Sequence, residues 1–277
     1  MKICGACERT LPDGSYSGEQ RGRRQSIRRC EECVAAGNQL VLMKKGHKRS
    51  EGDDCPICQL PLPLAMSQSK FRVCCMTLVC NGCLLAARKR GMWDCPFCRA
   101  PLPENESQVL AMTQTRVAVG DPMAIYYLGG KYADGHDGLE KDVTMAIELY
   151  ERAAEFGVQY AHFKLGDLYR KGEDVEKDTA KAIQHFEVAA VKGVAKARNN
   201  IGALERSAGN YDLALQHYMI AAKLGHRRSL NNVKKLLVSC HATKADYAEA
   251  LRGYQSAIEE MRSPDREEAL ALAEGRK

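Results

Sequence analysis

Twelve of the thirteen cysteines lie between Cys4 and Cys98, and from about residue 121 alanines, aromatics and glycines recur every 32–36 residues with helical spacing. These two observations predict small zinc-stabilised α+β modules at the N-terminus followed by an all-α helical-repeat solenoid. Ten of the twelve cysteines form Cys-x2-Cys pairs, and the other two, Cys74 and Cys75, are adjacent. Tetrahedral zinc sites use this spacing, so three zinc ions are expected. A disulfide framework is the rival reading. The start, Met1-Lys2-Ile3-Cys4, lacks the apolar stretch of an export signal. The expectation is therefore an intracellular protein, cytoplasmic or nuclear and not secreted, in a compartment that keeps thiols reduced. A third observation agrees: aromatics make up only 6 % of the 277 residues, which suits small helical repeats better than one large core. No apolar run of about 18 residues predicts a membrane span.

Residues 1–50 form the first module, with Cys4, Cys7, Cys30 and Cys33 as one closed four-sulfur site. Two such pairs about 20 residues apart resemble small zinc-ribbon or treble-clef-like modules. Arg21, Arg23, Arg24, Arg28 and Arg29 offer phosphate contacts, and Tyr16 is the one ring there for base stacking. Nucleic acid is thus a lesser candidate partner. The formal net charge of +6 adds little to it. A zinc ion held by four thiolates carries a net charge of about −2, so three centres offset the basic excess. His47 is not expected to be a ligand, since every site already has four sulfurs.

Residues 51–103 read Cys55-Pro56-Ile57-Cys58, then Cys74-Cys75, Cys80-x2-Cys83 and Cys95-Pro96-Phe97-Cys98-Arg99. This order resembles the RING-type zinc finger in its all-cysteine form. The resemblance implies interleaved sites: Cys55, Cys58, Cys80 and Cys83 on one zinc, and Cys74, Cys75, Cys95 and Cys98 on the other. It departs from the family in the adjacency of Cys74 and Cys75, which requires a sharp turn. So small a module buries little core, and the metals supply the missing folding free energy. RING proteins commonly act as ubiquitin ligases that position a charged conjugating enzyme without a covalent intermediate. The resemblance implies contacts to that enzyme from Ile57, Pro96 and Arg99. A bulky residue is usual four positions past the sixth ligand; here it is Ala87, with Leu84, Leu85 and Trp93 as substitutes.

Residues 104–120 are a linker or a helix leading into the array, which fills residues 121–262. Ala146, Ala182, Ala214 and Ala250 set its register. Four residues before them stand Asp142, Asp178, Asn210 and Asp246, all good N-caps. Four residues after them stand Tyr150, Phe186, Tyr218 and Tyr254, on the same helix face. Gly157, Gly193 and Gly225 end the first three of these helices. A preceding helix is marked by Ala124, Ala161 and Ala197, then by Leu128-Gly129, Leu165-Gly166 and Ile201-Gly202. Two helices cross at small residues in every unit. One pair cannot bury its apolar face alone, so the units stack.

The pattern Leu-Gly-x-x-Tyr, Asp, Ala-x-x-x-Tyr/Phe-x-x-Ala-Ala, Gly resembles Sel1-like repeats, relatives of the tetratricopeptide repeat. The units are 121–158, 159–194, 195–226 and a degenerate capping unit 227–262, in which Lys234 and Met261 replace glycines. The resemblance implies a scaffold that binds a protein ligand and has no catalysis of its own. Cys240 is expected as a small buried hydrophobe. Residues 263–277 read as a charged tail with a frayed helix over 266–274. No P-loop, HExxH or dinucleotide-binding glycine motif is present. The reading that absorbs most residues is a ubiquitin ligase or ligase subunit with a substrate-recruiting array. A non-catalytic, zinc-stabilised adaptor is the alternative.

Overall fold

The computed structural model describes residues 1–275. No helix among them is long and apolar enough to cross a membrane. The first module holds a two-stranded sheet, β1 (Lys2–Ile3) and β2 (Thr10–Leu11), and three short helices, α1 (Gly18–Gly22), α2 (Glu31–Ala35) and α3 (Val41–Lys44). The second holds the hairpin β3 (Ser69–Arg72) and β4 (Thr77–Cys80), followed by α4 (Asn81–Lys89). Residues between the modules and the array form a helix, α5 (Glu106–Ala118), capped by the Asn105 carboxamide, which accepts from Gln108 N at 2.9 Å.

The array consists of α6 (Pro122–Asp134), α7 (Val143–Glu155), α8 (Gln159–Lys171), α9 (Thr179–Val191), α10 (Ala195–Ser207), α11 (Tyr211–Lys223), α12 (Arg227–Val238) and α13 (Lys244–Glu260). They pack as consecutive antiparallel pairs. Asp142 and Asp178 cap α7 and α9 by accepting from Met145 N and Lys181 N. Two expected caps differ. Asn210 turns its amide to Glu205 instead, at 2.8 Å. Asp246 lies inside α13, whose N-cap is Thr243. The pair closes a capping box, a better seal than a lone aspartate. Gly157, Gly193 and Gly225 take left-handed φ values of 87°, 90° and 88° at helix ends. Cys240 does the same after α12, at φ 60°, and is exposed rather than buried.

Small residues at the crossings set how closely the paired helices approach. A Cβ on Gly166 would stand 2.7 Å from the Phe186 ring, and one on Gly202 2.7 Å from Tyr218. Both rings are fully buried, so they have no room to move aside. Gly166→Ala gains about 1 kcal/mol of helix propensity but overpacks the core at a cost of about 2–3 kcal/mol. A net loss on the order of 1–2 kcal/mol is expected, visible as a lower urea midpoint with an unchanged slope.

The charged tail is a packed helix, α14 (Pro264–Ala273), started by Ser263, whose hydroxyl accepts from Arg266 N. It lies along α4: a Cβ on Gly82 would come within 2.7 Å of Arg266 N, and Lys89 pairs with Glu268 at 2.5 Å. Residues 276–277 of the tail lie outside the described residues. At the other end of the array, Phe71 stacks on Tyr127 with centroids 4.6 Å apart. Arg116 of α5 donates to Cys74 O at 2.6 Å and pairs with Asp121. The second module therefore touches the first repeat directly and the C-terminal end of the array through α14.

The first module sits on the middle of the array. Its core continues into Ala195, Ile220 and Leu224. Arg198, fully buried, donates to Lys45 O, and Arg24 pairs with the buried Glu205. Just beyond it, at the start of the second module, Asp53 accepts from the Tyr160 hydroxyl.

Candidate metal centres

The first pair of each of two sulfur groups and the last pair of the third form the same turn. Gln59 N donates to Cys55 O at 2.8 Å, Arg99 N to Cys95 O at 2.9 Å and Glu8 N to Cys4 O at 2.8 Å. In return Cys55 N, Cys95 N and Cys4 N donate to Leu60 O, Ala100 O and Arg9 O. The residue after the second cysteine takes a left-handed φ in all three: Glu8 59°, Gln59 56° and Arg99 63°. That conformation folds the chain back so that both sulfurs of a pair face one point. The remaining pairs of two sites sit on helix N-termini. Cys30 is the N-cap of α2 and Cys80 that of α4, with Cys33 and Cys83 in the first turn. The free N–H groups and the positive dipole end there favour thiolates.

These devices gather the twelve cysteines into three groups: Cys4, Cys7, Cys30 and Cys33; Cys55, Cys58, Cys80 and Cys83; Cys74, Cys75, Cys95 and Cys98. Within each group the sulfurs all lie within 4.8 Å of one another. Individual separations include 3.8 Å for Cys55–Cys83, 3.9 Å for Cys58–Cys80 and 3.8 Å for Cys75–Cys95. Four sulfurs at 2.3 Å from one zinc stand about 3.8 Å apart. All thirteen cysteines are free thiols. The donor set and its spacing fit tetrahedral metal and are consistent with zinc. Cys74 and Cys75 both reach their site because they form the tip of the β3–β4 hairpin, where Met76 at φ 51° closes the turn.

The thiols alone are a poor resting state. Hydrogen bonding with Cys80 holds the Cys55 thiol down, while the same interaction and burial push Cys80 up. The group therefore divides its protons unevenly, and a dication lets all four sulfurs ionise. N–H donors already point at the sulfurs: Cys30 N and Ala6 N at Cys4 Sγ (3.3 and 3.4 Å), Asn38 Nδ2 at Cys33 Sγ (3.4 Å), Arg9 Nε at Cys7 Sγ (3.4 Å). The least expected donor is Arg266 Nη2, 3.2 Å from Cys58 Sγ across 208 residues of chain.

Ile57 is 40 % exposed, Phe97 48 % and Trp93 74 %, whereas Pro96 is half-buried. Arg99 is exposed and donates from Nη1 to Met92 Sδ at 3.2 Å. Leu84 and Ala87 are buried at 7 % and 8 %, so Leu84 is no substitute for a bulky exposed residue. In the first module Tyr16 is buried and its hydroxyl donates to Lys2 O at 2.7 Å, which removes it from base stacking. Arg24 pairs with Glu205, Arg23 with Glu19, and Arg28 donates to Gln20 O and Arg23 O. The arginine cluster is thus largely committed to the fold. His47 bonds to Met43 O and joins no sulfur group.

Three stretches of the array, residues 122–157, 159–194 and 199–226, match the Sel1 repeat family. No curated protein matches the chain. Among solved structures, a Sel1 repeat protein from Oxalobacter formigenes is similar at 25 % identity and a TM-score of 0.51, over 65 % of this chain and 71 % of that one. The antigen c5321 of uropathogenic Escherichia coli, with an SLR fold, is similar at 21 % identity and a TM-score of 0.49, over 70 % of this chain and 41 % of that one. Residues 122–226 are Sel1 repeats, the kind of scaffold that serves protein–protein interaction.

Proposed function

We propose that the chain is a zinc-dependent ubiquitin ligase or ligase subunit, in which the eight-sulfur module holds a charged conjugating enzyme and the Sel1 array recruits the protein to be modified. The observation that carries this reading is the interleaved pair of four-sulfur groups whose turns leave Ile57 and Phe97 open to solvent, with Arg99 directly after the last sulfur. The contribution to rate is positioning: a docked thioester and acceptor amine react as neighbours. Zinc ions held by the three cysteine groups supply the rigidity of the docking loops.

The test mixes purified, zinc-loaded protein with activating enzyme, ubiquitin and a panel of conjugating enzymes. Ubiquitin chains are expected with at least one of them. Ile57→Ala and Arg99→Ala should each slow their formation at least tenfold. Arg99→Gly separates side chain from backbone, because glycine accepts φ 63° without strain. It should match Arg99→Ala in activity while holding its metal at least as firmly. Failure with every conjugating enzyme removes the ligase reading.

A second reading, a non-catalytic adaptor, is favoured by one observation. α14 packs along α4, and Ala87, the position usually bulky in ligases, is small and 8 % exposed. It predicts partner capture by the array that survives loss of Ile57 and Arg99.

A further inference from the structure

The third and fourth repeats break the packing rule of the first two at one position. Two residues after the marker alanine, Tyr126 and Phe163 pair with Tyr150 and Phe186 at 5.8 and 5.9 Å between ring centroids. The equivalent residues in the next units are Asn199 and Asn231, each followed by another asparagine. Losing the ring opens a cleft of about 570 Å³ between α10 and α12, floored by Tyr218. Replacing a ring by an amide costs core packing, so in these two units the array forgoes stability for a polar hollow.

The hollow is built rather than collapsed. Asn199 is 4 % exposed, and its carbonyl accepts from Ser229 Oγ and Asn232 Nδ2, both at 3.1 Å. His226 braces Ser229 at 2.8 Å. Around this floor stand Arg206, Arg228, Lys234 and Lys235, all exposed. No carboxylate lines the cleft, and none pairs with these four cations among the described residues. Elsewhere on the array lysines and arginines do find carboxylates, such as Lys141 with Asp174 and Lys223 with Glu249.

From this we infer that the α10–α12 cleft binds an acidic, extended peptide segment of a partner protein. The four cations take its carboxylates, and the amides of Asn231 and Asn232 pair with its backbone. An asparagine offers a donor and an acceptor side by side, the complement of a peptide group. The volume falls in the range of pockets that take short peptide or drug-sized ligands. Nucleic acid fits less well, because the only aromatic in the cleft, Tyr218, is 1 % exposed and leaves no stacking platform. The inference rests on the array being the recruiting part of the molecule and names the chemistry it recruits; it does not depend on ubiquitin transfer.

Fluorescence polarisation of the full-length, zinc-loaded protein against a labelled (Glu-Ala)4 peptide tests it. Binding is expected, weakening as salt rises, with the (Gln-Ala)4 peptide at least tenfold weaker. Arg228→Gln with Lys235→Gln should weaken the Glu peptide at least tenfold. Asn231→Asp, an exposed change that puts a carboxylate of the peptide's own sign into the cleft, should do the same. Circular dichroism and zinc content serve as folding controls for both variants. Three outcomes would overturn the inference: no binding of the Glu peptide, equal binding of the Gln peptide, or insensitivity to both variants. Tighter binding of a labelled single-stranded oligonucleotide through the same residues would overturn it in favour of nucleic acid. Because polarisation reads binding directly, a ligase-dead protein that still binds the peptide, or the reverse, separates the two claims.

Discussion

Chelating the metal is expected to unfold residues 1–103 while most of the helical signal of α5–α13 survives. Structural zinc in small modules contributes about 10–16 kcal/mol of apparent binding free energy at neutral pH, as much as a domain's entire net stability of about 5–15 kcal/mol. The native protein should carry three zinc ions per chain by elemental analysis, with the twelve clustered thiols slow to react with a disulfide reagent. After chelation all twelve should react quickly, while the near-ultraviolet dichroism of the buried array rings, Tyr150 and Tyr218 among them, should persist. Single substitutions divide the centres unequally. Cys33→Ser should release one ion and leave the second module intact. Cys80→Ser should release two, because the hairpin that carries Cys80 also carries Cys74 and Cys75 at its tip. A protein that keeps its thiols protected with less than one zinc per chain would end the metal reading.

Arg266→Ala is expected to detach α14 and loosen the centre formed by Cys55, Cys58, Cys80 and Cys83. The Arg266 side chain is 9 % exposed and donates to four acceptors: Pro61 O and Met261 O at 2.7 Å, Leu60 O at 3.1 Å and Cys58 Sγ at 3.2 Å. Truncation leaves three carbonyls and a thiolate without their donor. Hydrogen bonds from a charged group contribute about 1.5–3 kcal/mol each, and they are not additive here because one group makes them all. A loss of about 2–4 kcal/mol is expected. Zinc should leave that centre faster, and a protease should cut the α13–α14 turn sooner. Arg266→Lys keeps the charge but not the planar fork, so it should recover only part of the effect. Equal zinc loss and equal cleavage in all three proteins would show that the arginine only fills space.

The repeats were legible because their signals are local. An alanine, an aromatic four residues on and a glycine at the end state a helix face and its stop within 12 residues, as at Ala146, Tyr150 and Gly157. The sulfur groups were legible for a related reason: pairs spaced Cys-x2-Cys fix half a tetrahedron in one turn. What stayed hidden depends on the partner surface. The tail carries Ser263-Pro264, a sound helix start, yet its charges made it look solvated. Nothing near Arg266 in the chain announces that three of its four acceptors lie about two hundred residues away. Tyr16 and the arginines of the first module looked available for the same reason, since their partners Lys2 O and Glu205 are set by packing. The left-handed residues Glu8, Gln59 and Arg99 had a weaker signal, since each directly follows a Cys-x2-Cys pair that does not open a helix. The cleft between α10 and α12 had one too: an Asn-Asn doublet twice, 32 residues apart, where aromatic side chains stood before.

Because one small cysteine module grips the first repeat through Phe71 and the last helix through Lys89, the coil of helices is strung like a bow. A free superhelix stretches and recoils as a spring, and its curvature drifts with every thermal kick. Here the bowstring fixes the chord, and the string itself is fastened by sulfur. Stripping the metal would therefore do more than melt a corner of the molecule. It would let the arc relax, lengthen the particle in solution scattering and change the spacing between the first repeat and α14.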